Sequence, residues 1–368
     1  MIILKSPRDA LLAPLQSVSG IVERRHTLPI LSNVLLEKQG DSLTLIATDI
    51  EIQITTRSEN VGGDGDGAVT VAAKKLQEIL RSLPDTAEIT LDLEDKRLLL
   101  KAGKSRFSLQ TLPAEDFPRM AITEGESRAF SVTQKQFRNL IGKTQYAMAT
   151  QDVRYYLNGL MLMVDGQELR CVATDGHRLA YNSMDIEADL PRQEMILPRK
   201  TVLELNRLLA DHEEPLQITV GTNQIHFTFG HTLLVSKLID GKFPDYERVI
   251  PAQLSNHMRV DRQTLHSAMS RVAILTNDKF RGVRIILEPN TLKIIAANTE
   301  QEEAQEEIEV QYEGAPLDVG FNVTYLLDVL NNLGGDEIQW SFNDANSSAL
   351  ISVPDNDRFK YVVMPMRI

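Results

Sequence analysis

Three short stretches hold side chains that could do chemistry. Asp175-Gly-His177 places a carboxylate beside an imidazole, the raw material of a metal or acid–base site such as a nuclease needs. Gly142-Lys-Thr144 copies the end of a phosphate-binding loop, and Gly63-Asp-Gly-Asp-Gly67 resembles part of a calcium loop. The phosphate loop fails: position 137 is Phe where the motif needs Gly, and the segment lies inside a helical pattern rather than after a strand. The calcium loop lacks its downstream Glu and spacing, so Gly63–Gly67 reads as a hairpin loop. The seven His, at 26, 177, 212, 226, 231, 257 and 266, show no paired metal-ligand spacing. Cys171 alternates inward on a strand pattern and reads as buried filler. Asp175 then stands alone, and Asp49 repeats its turn without a His, while a third copy has Asn298-Thr299. Asp and Asn recurring in this way point to turn chemistry. No catalytic group, metal or cofactor is expected.

Those recurring turns belong to a larger repeat. Asn33-Val-Leu-Leu-Glu-Lys-Gln-Gly-Asp-Ser-Leu-Thr-Leu-Ile-Ala-Thr-Asp49 has a counterpart running from Asn158 through Val172-Ala-Thr-Asp175, and another from Arg281 through Ile295-Ala-Ala-Asn-Thr299. The Ala before each turn falls at 47, 173 and 297, which are 126 and 124 residues apart. Each copy alternates apolar and polar residues around a Gly, Asp or Asn turn, predicting β-hairpins. Phe117-Pro118 and Phe243-Pro244 keep the same 126-residue offset. Helical stripes recur as well: Leu76, Ile79, Leu80 and Leu83; Leu265, Ala268, Met269 and Val272; Val323, Leu326, Leu327 and Leu330. Looser stripes occupy 11–18, with Pro14 expected to interrupt or kink it, 137–141 and 202–209. The expected fold is α+β in three repeats of two helices and two β-sheet portions, with domains at 1–125, 126–253 and 254–368.

Composition limits the partners. One Cys in 368 residues excludes an intramolecular disulfide framework. No run of 18 apolar residues occurs, and Lys5, Arg8 and Asp9 come too early for a signal peptide, so a cytoplasmic protein without a membrane span is expected. A net charge of −12 and 5% aromatic residues argue against gripping nucleic acid by bulk charge or by stacking. The charge is segregated, however. The six helical stretches together carry +7, leaving −19 elsewhere. Lys74, Lys75, Arg81, Lys135, Arg138, Lys143, Arg199, Lys200 and Arg207 would present a phosphate-facing surface, while the acidic remainder discourages side-on binding.

A repeated α+β unit leaves one unpaired sheet edge at each end of the chain. Pairing the first domain of one chain with the third of another, in both directions, closes a dimer of six units. From the residues alone, three classes stay open: a DNA-facing protein with basic helices, a metal-dependent nuclease on the same surface, and a peptide-binding scaffold without DNA.

Eight segments narrow the choice: Thr27-Leu-Pro-Ile-Leu31, Ser105-Arg-Phe-Ser-Leu109, Gln151-Asp-Val-Arg-Tyr-Tyr-Leu-Asn-Gly159, Ala173-Thr-Asp-Gly-His-Arg-Leu179, Phe243-Pro-Asp-Tyr246, Lys279-Phe-Arg-Gly282, Gly320-Phe-Asn-Val323 and Tyr361-Val-Val-Met-Pro-Met-Arg-Ile368. Through them the chain resembles the bacterial DNA polymerase III β subunit family, the sliding clamps, along essentially its whole length. The resemblance implies a head-to-tail homodimeric ring that encircles double-stranded DNA, has no catalytic activity and is loaded by an ATP-driven clamp loader complex. It also implies tethering of the DNA polymerase III catalytic subunit and of translesion polymerases, mismatch repair proteins and ligase. Matched DNA-facing positions are Arg25, Gln151, Tyr155, Tyr156, Arg199 and Lys200. One of the two Tyr is expected to pack in the core, since adjacent strand residues point to opposite faces. The matched partner-peptide cleft comprises Leu157, Thr174, Gly176, His177, Arg178, Leu179, Pro244, Arg248, Val249, Ser348, Val362, Val363, Met364, Pro365, Met366 and Arg367. Met-rich apolar surfaces adapt to many ligands. Asn346 stands where the family has an apolar residue. Phe107, Ile274 and Leu275 match the interchain contact. Near it lie Glu300, Glu302, Glu303, Glu306 and Glu307, with Lys74, Lys104 or Arg106 as the opposing charges.

Overall fold

The computed structural model describes residues 2–23, 27–59, 61–63, 65–122, 128–277 and 279–367. Arg25, the expected boundary near 125 and Asp64 of the Gly-rich loop lie outside them.

Each third of the chain follows one order: a strand, a helix, a four-strand module, a second helix and three strands. The first third is β1 (Ile2–Pro7), α1 (Arg8–Ser19), β2 (Asn33–Gln39), β3 (Ser42–Thr48), β4 (Ile52–Ser58), β5 (Gly67–Ala72), α2 (Ala73–Ser82), β6 (Glu88–Glu94), β7 (Arg97–Ala102) and β8 (Ser105–Leu112). The second is β9 (Arg128–Thr133), α3 (Gln134–Gly142), β10 (Gly159–Thr174), β11 (Arg178–Pro198), α4 (Arg199–Leu208), β12 (Pro215–Val220), β13 (Gln224–Phe229) and β14 (Thr232–Lys237). The third is β15 (Asn256–Asp261), α5 (Arg262–Val272), β16 (Gly282–Glu288), β17 (Thr291–Ala297), β18 (Glu303–Glu309), β19 (Leu317–Asn322), α6 (Val323–Asn332), β20 (Glu337–Phe342), β21 (Ala349–Val353) and β22 (Asn356–Val363).

The four-strand modules share a pairing rule: outer strand with outer, inner with inner, all antiparallel. In the first, β2 pairs β5 and β3 pairs β4; in the third, β16 pairs β19 and β17 pairs β18. The second module departs from the expected hairpin at Asp165-Gly166. There β10 and β11 are assigned as two long strands, with 159–164 facing 193–198 and 168–174 facing 179–185. The register shifts around Gly166, whose φ is +60°. A bend inside the strand thus replaces the break and keeps the same rule.

By internal contacts the chain forms two compact units, Met1–Gln136 with Leu203–Leu238, and Phe137–Val202 with Ile239–Ile368. The central repeat contributes to both. Within the first unit β14 extends the sheet by pairing β4, and within the second β22 does the same to β11. Among the sheet edges left open in the described residues, two matter to this pairing rule. Residues 105–110 of β8 pair only with β7, and β18 ends a four-stranded sheet.

The helices bury the stripes that their sequence marks. Leu11, Leu15 and Val18 of α1, Leu76 and Leu80 of α2, and Val323, Leu326 and Leu330 of α6 are all buried. Asp261 caps α5 by accepting from Thr264 N at 2.6 Å, and Asn322 caps α6 through Thr324 N at 2.9 Å. Pro14 does not interrupt α1, which runs unbroken from Arg8 to Ser19. Its missing N–H leaves the Ala10 carbonyl without the usual donor, and the Ser58 hydroxyl supplies one at 3.1 Å.

Gly159, where β10 begins, has no room for a side chain: a Cβ would lie 2.5 Å from the Leu197 carbonyl oxygen and 2.9 Å from the side chains of Ile196 and Ile239. Gly159→Ala should destabilise the protein by roughly 1–3 kcal/mol, as overpacking does. A lowered urea midpoint at unchanged slope is the expected reading.

Candidate functional site

The loop between α3 and β10 brings several predicted residues together. Gln151 is exposed in a left-handed conformation, φ +57°, and Val153 beside it is 95% exposed. Tyr155–Leu157 form a turn of 3-10 helix, so the strand geometry expected for the two Tyr is corrected. The division of roles survives: Tyr155 is 58% exposed, while Tyr156 packs half-buried against the cluster of Met161, Leu179 and Phe243. Their rings meet edge-on at 5.8 Å. Arg199, at the start of α4, is held to this loop. Its N–H donates to Asn158 O at 3.1 Å and its Nη1 to Met148 O at 3.3 Å. Lys200 is half-buried.

The basic helix residues divide into two groups. Lys75, Arg81 and Arg138 are exposed, but others have partners within the chain. Lys74 Nζ donates to Ser19 O at 3.3 Å, and Lys135 pairs with Glu213. Arg207 pairs with Glu204 at 2.7 Å and donates to the Gln16 and Ser17 carbonyls at the end of α1. Burial lowers the pKa of Lys143, and Thr144 beside it is buried and donates to carbonyls of the preceding helical turn. The Gly142-Lys-Thr144 segment is therefore the end of a helix.

A cavity of about 160 Å³ gathers most of the expected cleft. Leu157, Thr174, Gly176, His177, Arg178, Leu179, Pro244, Val249, Val362 and Met364 line it, joined by Arg154 and Tyr246, which the sequence reading did not place there. The remaining expected members stand outside the lining. Arg248 is exposed and pairs with Asp245, Val363 is fully buried within β22, and Met366 donates its N–H to Gly320 O. Ser348 and Pro365 are half-buried, and Arg367 is exposed. Asn346 is exposed, its N–H on Asp344 Oδ1 at 2.7 Å. Met364, 40% exposed, is the apolar side chain most available to a ligand at the strand end.

The turn at 174–178 sets the cavity's rim. Asp175 Oδ1 accepts from His177 N (2.9 Å) and Arg178 N (3.1 Å), and Thr174 Oγ1 donates to Arg178 O (2.5 Å). Asp49 and Asn298 accept backbone N–H groups in the same manner, as turn chemistry predicts. Gly176 has φ +90°, and a Cβ there would lie 2.8 Å from Arg154 Nη2. Arg154 is fixed by a fork onto Asp152, with Nε to Oδ1 at 3.0 Å and Nη2 to Oδ2 at 2.9 Å.

Beneath the rim sits Arg178, its side chain 8% exposed. Its guanidinium donates to Asp175 Oδ2 (3.1 Å), Asp328 Oδ2 (2.6 Å) and Tyr146 O (2.6 Å), and lies 4.4 Å from the Tyr325 ring centre. Burial works against its charge, but Tyr361, Asp328 and Asp175 outweigh that and raise its pKa. Asp328 belongs to α6, so this one cation ties the central repeat's turn to the third repeat's helix.

At the open edges, Phe107 is half-buried on β8 beside exposed Arg106 and Lys104. Ile274 is 77% exposed in the 3-10 turn Ala273–Leu275, with Leu275 half-buried. Part of the acidic run is already paired: Arg271 forks onto Glu306 at 2.6 and 2.7 Å. Lys74, also named as an opposing charge, is half-buried on α2 and donates to Ser19 O at the end of α1. Cys171 is buried as expected, which pushes its thiol pKa up.

The Arg154 side chain, with its backbone N–H, holds the Asp152 carboxyl down at about 2. Because the folded value lies below the ordinary carboxylate range near 4, the Asp152–Arg154 clamp persists through that range and is lost only as pH falls through about 2. A carboxyl carbon NMR titration should show Asp152 still ionised at pH 3.

Three family models match in succession: DNA polymerase III beta subunit N-terminal domain over 3–121, central domain over 131–245 and C-terminal domain over 247–367. The Beta sliding clamp of Pseudomonas aeruginosa is 51% identical over 98% of both chains, and that of Escherichia coli K12 is 47% identical over 98% of both. The crystal structure of a Pseudomonas aeruginosa sliding clamp (DNA polymerase III subunit beta) bound to griselimycin superposes with a TM-score of 0.94, at 50% identity and 99% coverage of each chain. With three successive domain matches and half its residues shared along nearly its full length, the chain belongs to the DNA polymerase III beta subunit family, the beta sliding clamps.

Proposed function

We propose that this chain is a non-catalytic processivity factor of DNA replication. Two copies close head to tail around duplex DNA, and the cleft at 154–179, 244–249 and 362–364 tethers the polymerase. The observation that carries this reading is the edge pattern. Two junctions inside the chain are made by the last strand of one repeat pairing an inner strand of the repeat before it, β14 on β4 and β22 on β11. The strands left without that partner are β8 and β18, which are the equivalent last strand and inner strand. Completing the rule between two chains uses both edges twice and closes six repeats. Exposed Ile274 and half-buried Phe107 and Leu275 would add apolar contact, with Lys104 and Arg106 near the unpaired glutamates of β18. The domains then fall at 1–125, 126–253 and 254–368.

Within such a closure Gln151, Tyr155 and Lys200 would meet DNA, with Arg25 and the free hydrogen-bonding capacity of Arg199. The clamp loader, translesion polymerases, mismatch repair proteins and ligase would use the same apolar cleft as the polymerase. The work is cytoplasmic, consistent with the absence of any helix, among the described residues, long and apolar enough to cross a membrane. The nuclease reading loses its one candidate, because Asp175 is committed to its turn and to Arg178.

Topological retention makes a sharp demand. Protein loaded onto a nicked circle should survive gel filtration at high salt and be lost when the circle is linearised. Equal retention on both overturns encirclement, and no retention on either favours a scaffold that never meets DNA. The cleft is checked separately with griselimycin: Met364→Lys, which puts a charge on the apolar rim, should weaken binding at least about tenfold in calorimetry.

A further inference from the structure

The turn that carries Gly176 and His177 has a twin. Residues 48–52, between β3 and β4, make the same four hydrogen bonds as 174–178. Thr48 Oγ1 donates to Ile52 O (2.9 Å), and Ile50 N donates to Thr48 Oγ1 (3.0 Å), as Gly176 N does to Thr174 Oγ1 (3.1 Å). The N–H groups of Glu51 and Ile52 donate to Asp49 Oδ1 (3.0 and 2.9 Å), as those of His177 and Arg178 donate to Asp175 Oδ1. The strand laid against each turn also corresponds. Lys237 N donates to Glu51 O at 2.9 Å, as Met364 N donates to His177 O at 3.0 Å. Gln53 pairs with Val235, as Leu179 pairs with Val362. Behind the first turn Leu35, Ile46 and Phe117 form one buried cluster, and behind the second Met161, Val172 and Phe243 do. The backbone of the cleft is built twice.

Its side chains are not. Where Gly176 has no side chain, Ile50 carries a β-branched one at φ +71°, a conformation such residues rarely adopt. Where Leu179 gives an apolar wall, Gln53 is buried and its Oε1 accepts the Met120 N–H at 2.8 Å. Where Met364 offers a thioether, Lys237 pairs through Nζ with Glu51 at 3.0 Å. An apolar ligand pressed onto this copy would meet a side chain where the cleft's turn has none. It would also find a polar amide where the cleft has an apolar wall, and would strip water from the Lys237–Glu51 ion pair.

We propose that the junction of the first and second repeats is a disabled duplicate of the cleft, and that Ile50, Gln53 and Lys237 are the residues that deny it apolar ligands. Each chain therefore offers one peptide site although its backbone provides two. This rests on the reading of the 154–179 cleft as the ligand site.

Griselimycin is the probe, and native mass spectrometry of the full chain counts it. The parent chain should bind one equivalent, and a chain carrying Ile50→Gly, Gln53→Leu and Lys237→Met together should bind two. Adding Gly176→Ile to that variant should bring the count back to one, with the remaining ligand at the new site. No binding by the parent removes the cleft reading itself, and this proposal with it. One equivalent in both the parent and the folded triple variant overturns this proposal alone. Folding is read from amide hydrogen exchange of β3, β4 and β14, which carry the altered junction, and should the triple variant not fold, Ile50→Gly with Lys237→Met is counted in the same way.

Discussion

The backbone hydrogen bonds at the edge of a β-sheet are the constraint around which this protein is organised. An edge strand presents unpaired N–H and C=O groups and recruits whatever strand can satisfy them. Here the recruit inside the chain is always the last strand of the following repeat: β14 completes β4, and β22 completes β11. The repeats are thereby joined by continuous sheet rather than by linkers. The same rule leaves two unsatisfied edges, one on β8 and one on β18, among the described residues. A third junction of the same kind needs a second chain, so the demand for closure follows from the pairing rule itself.

A second economy lies in the turns. Asp49, Asp175 and Asn298 each use a side-chain oxygen to hold backbone N–H groups two to four residues ahead. Because the carbonyl or carboxylate fixes the backbone, the intervening side chains are free to vary without loss of the turn. In the central copy that freedom is used for Gly176, His177 and Arg178. The guanidinium of Arg178 then joins the turn to α6 through Asp328 and the Tyr325 ring. Two carboxylates, a carbonyl and an aromatic face satisfy a charge that would otherwise be costly to bury.

Much of this was legible in the sequence because it repeats. The 126-residue spacing of Ala47 and Ala173, and of Phe117 and Phe243, marks equivalent places in equivalent modules. Helix stripes such as Leu76 with Leu80 and Val323 with Leu326 are buried as the 3.6-residue period requires. What could not be read depends on contacts distant in sequence. Ser58 rescuing the carbonyl freed by Pro14, Arg207 reaching back to the end of α1, and Arg154 forked on Asp152 to line the cleft leave no periodic signature. Tyr155 and Tyr156 illustrate a local failure. Their hydrophobicity suits a strand, but Asn158 and Asp152 bracket the segment with reciprocal hydrogen bonds at 2.9 and 2.8 Å and fold it into a turn. Only Asp152-Val-Arg154, a carboxylate two residues from a guanidinium, hinted at that local clamp.

The charge distribution acquires meaning once these partners are known. Tight electrostatic binding to DNA would need many free cations, since affinity scales with the number of phosphates neutralised. Lys74, Lys135, Arg199 and Arg207 instead donate to carbonyls or carboxylates of their own chain, and burial lowers the pKa of Lys143. Lys75, Arg81 and Arg138 remain exposed on helices of a chain whose net charge is −12. Under the proposed encirclement, helices with few exposed cations would attract phosphate enough to centre a duplex and too weakly to arrest it. For a protein that must travel along DNA while holding a polymerase, weak attraction is an advantage only if something other than adhesion prevents escape. Closed topology supplies that function, and so the sparse basic surface and the two unsatisfied sheet edges are complementary parts of one mechanical solution.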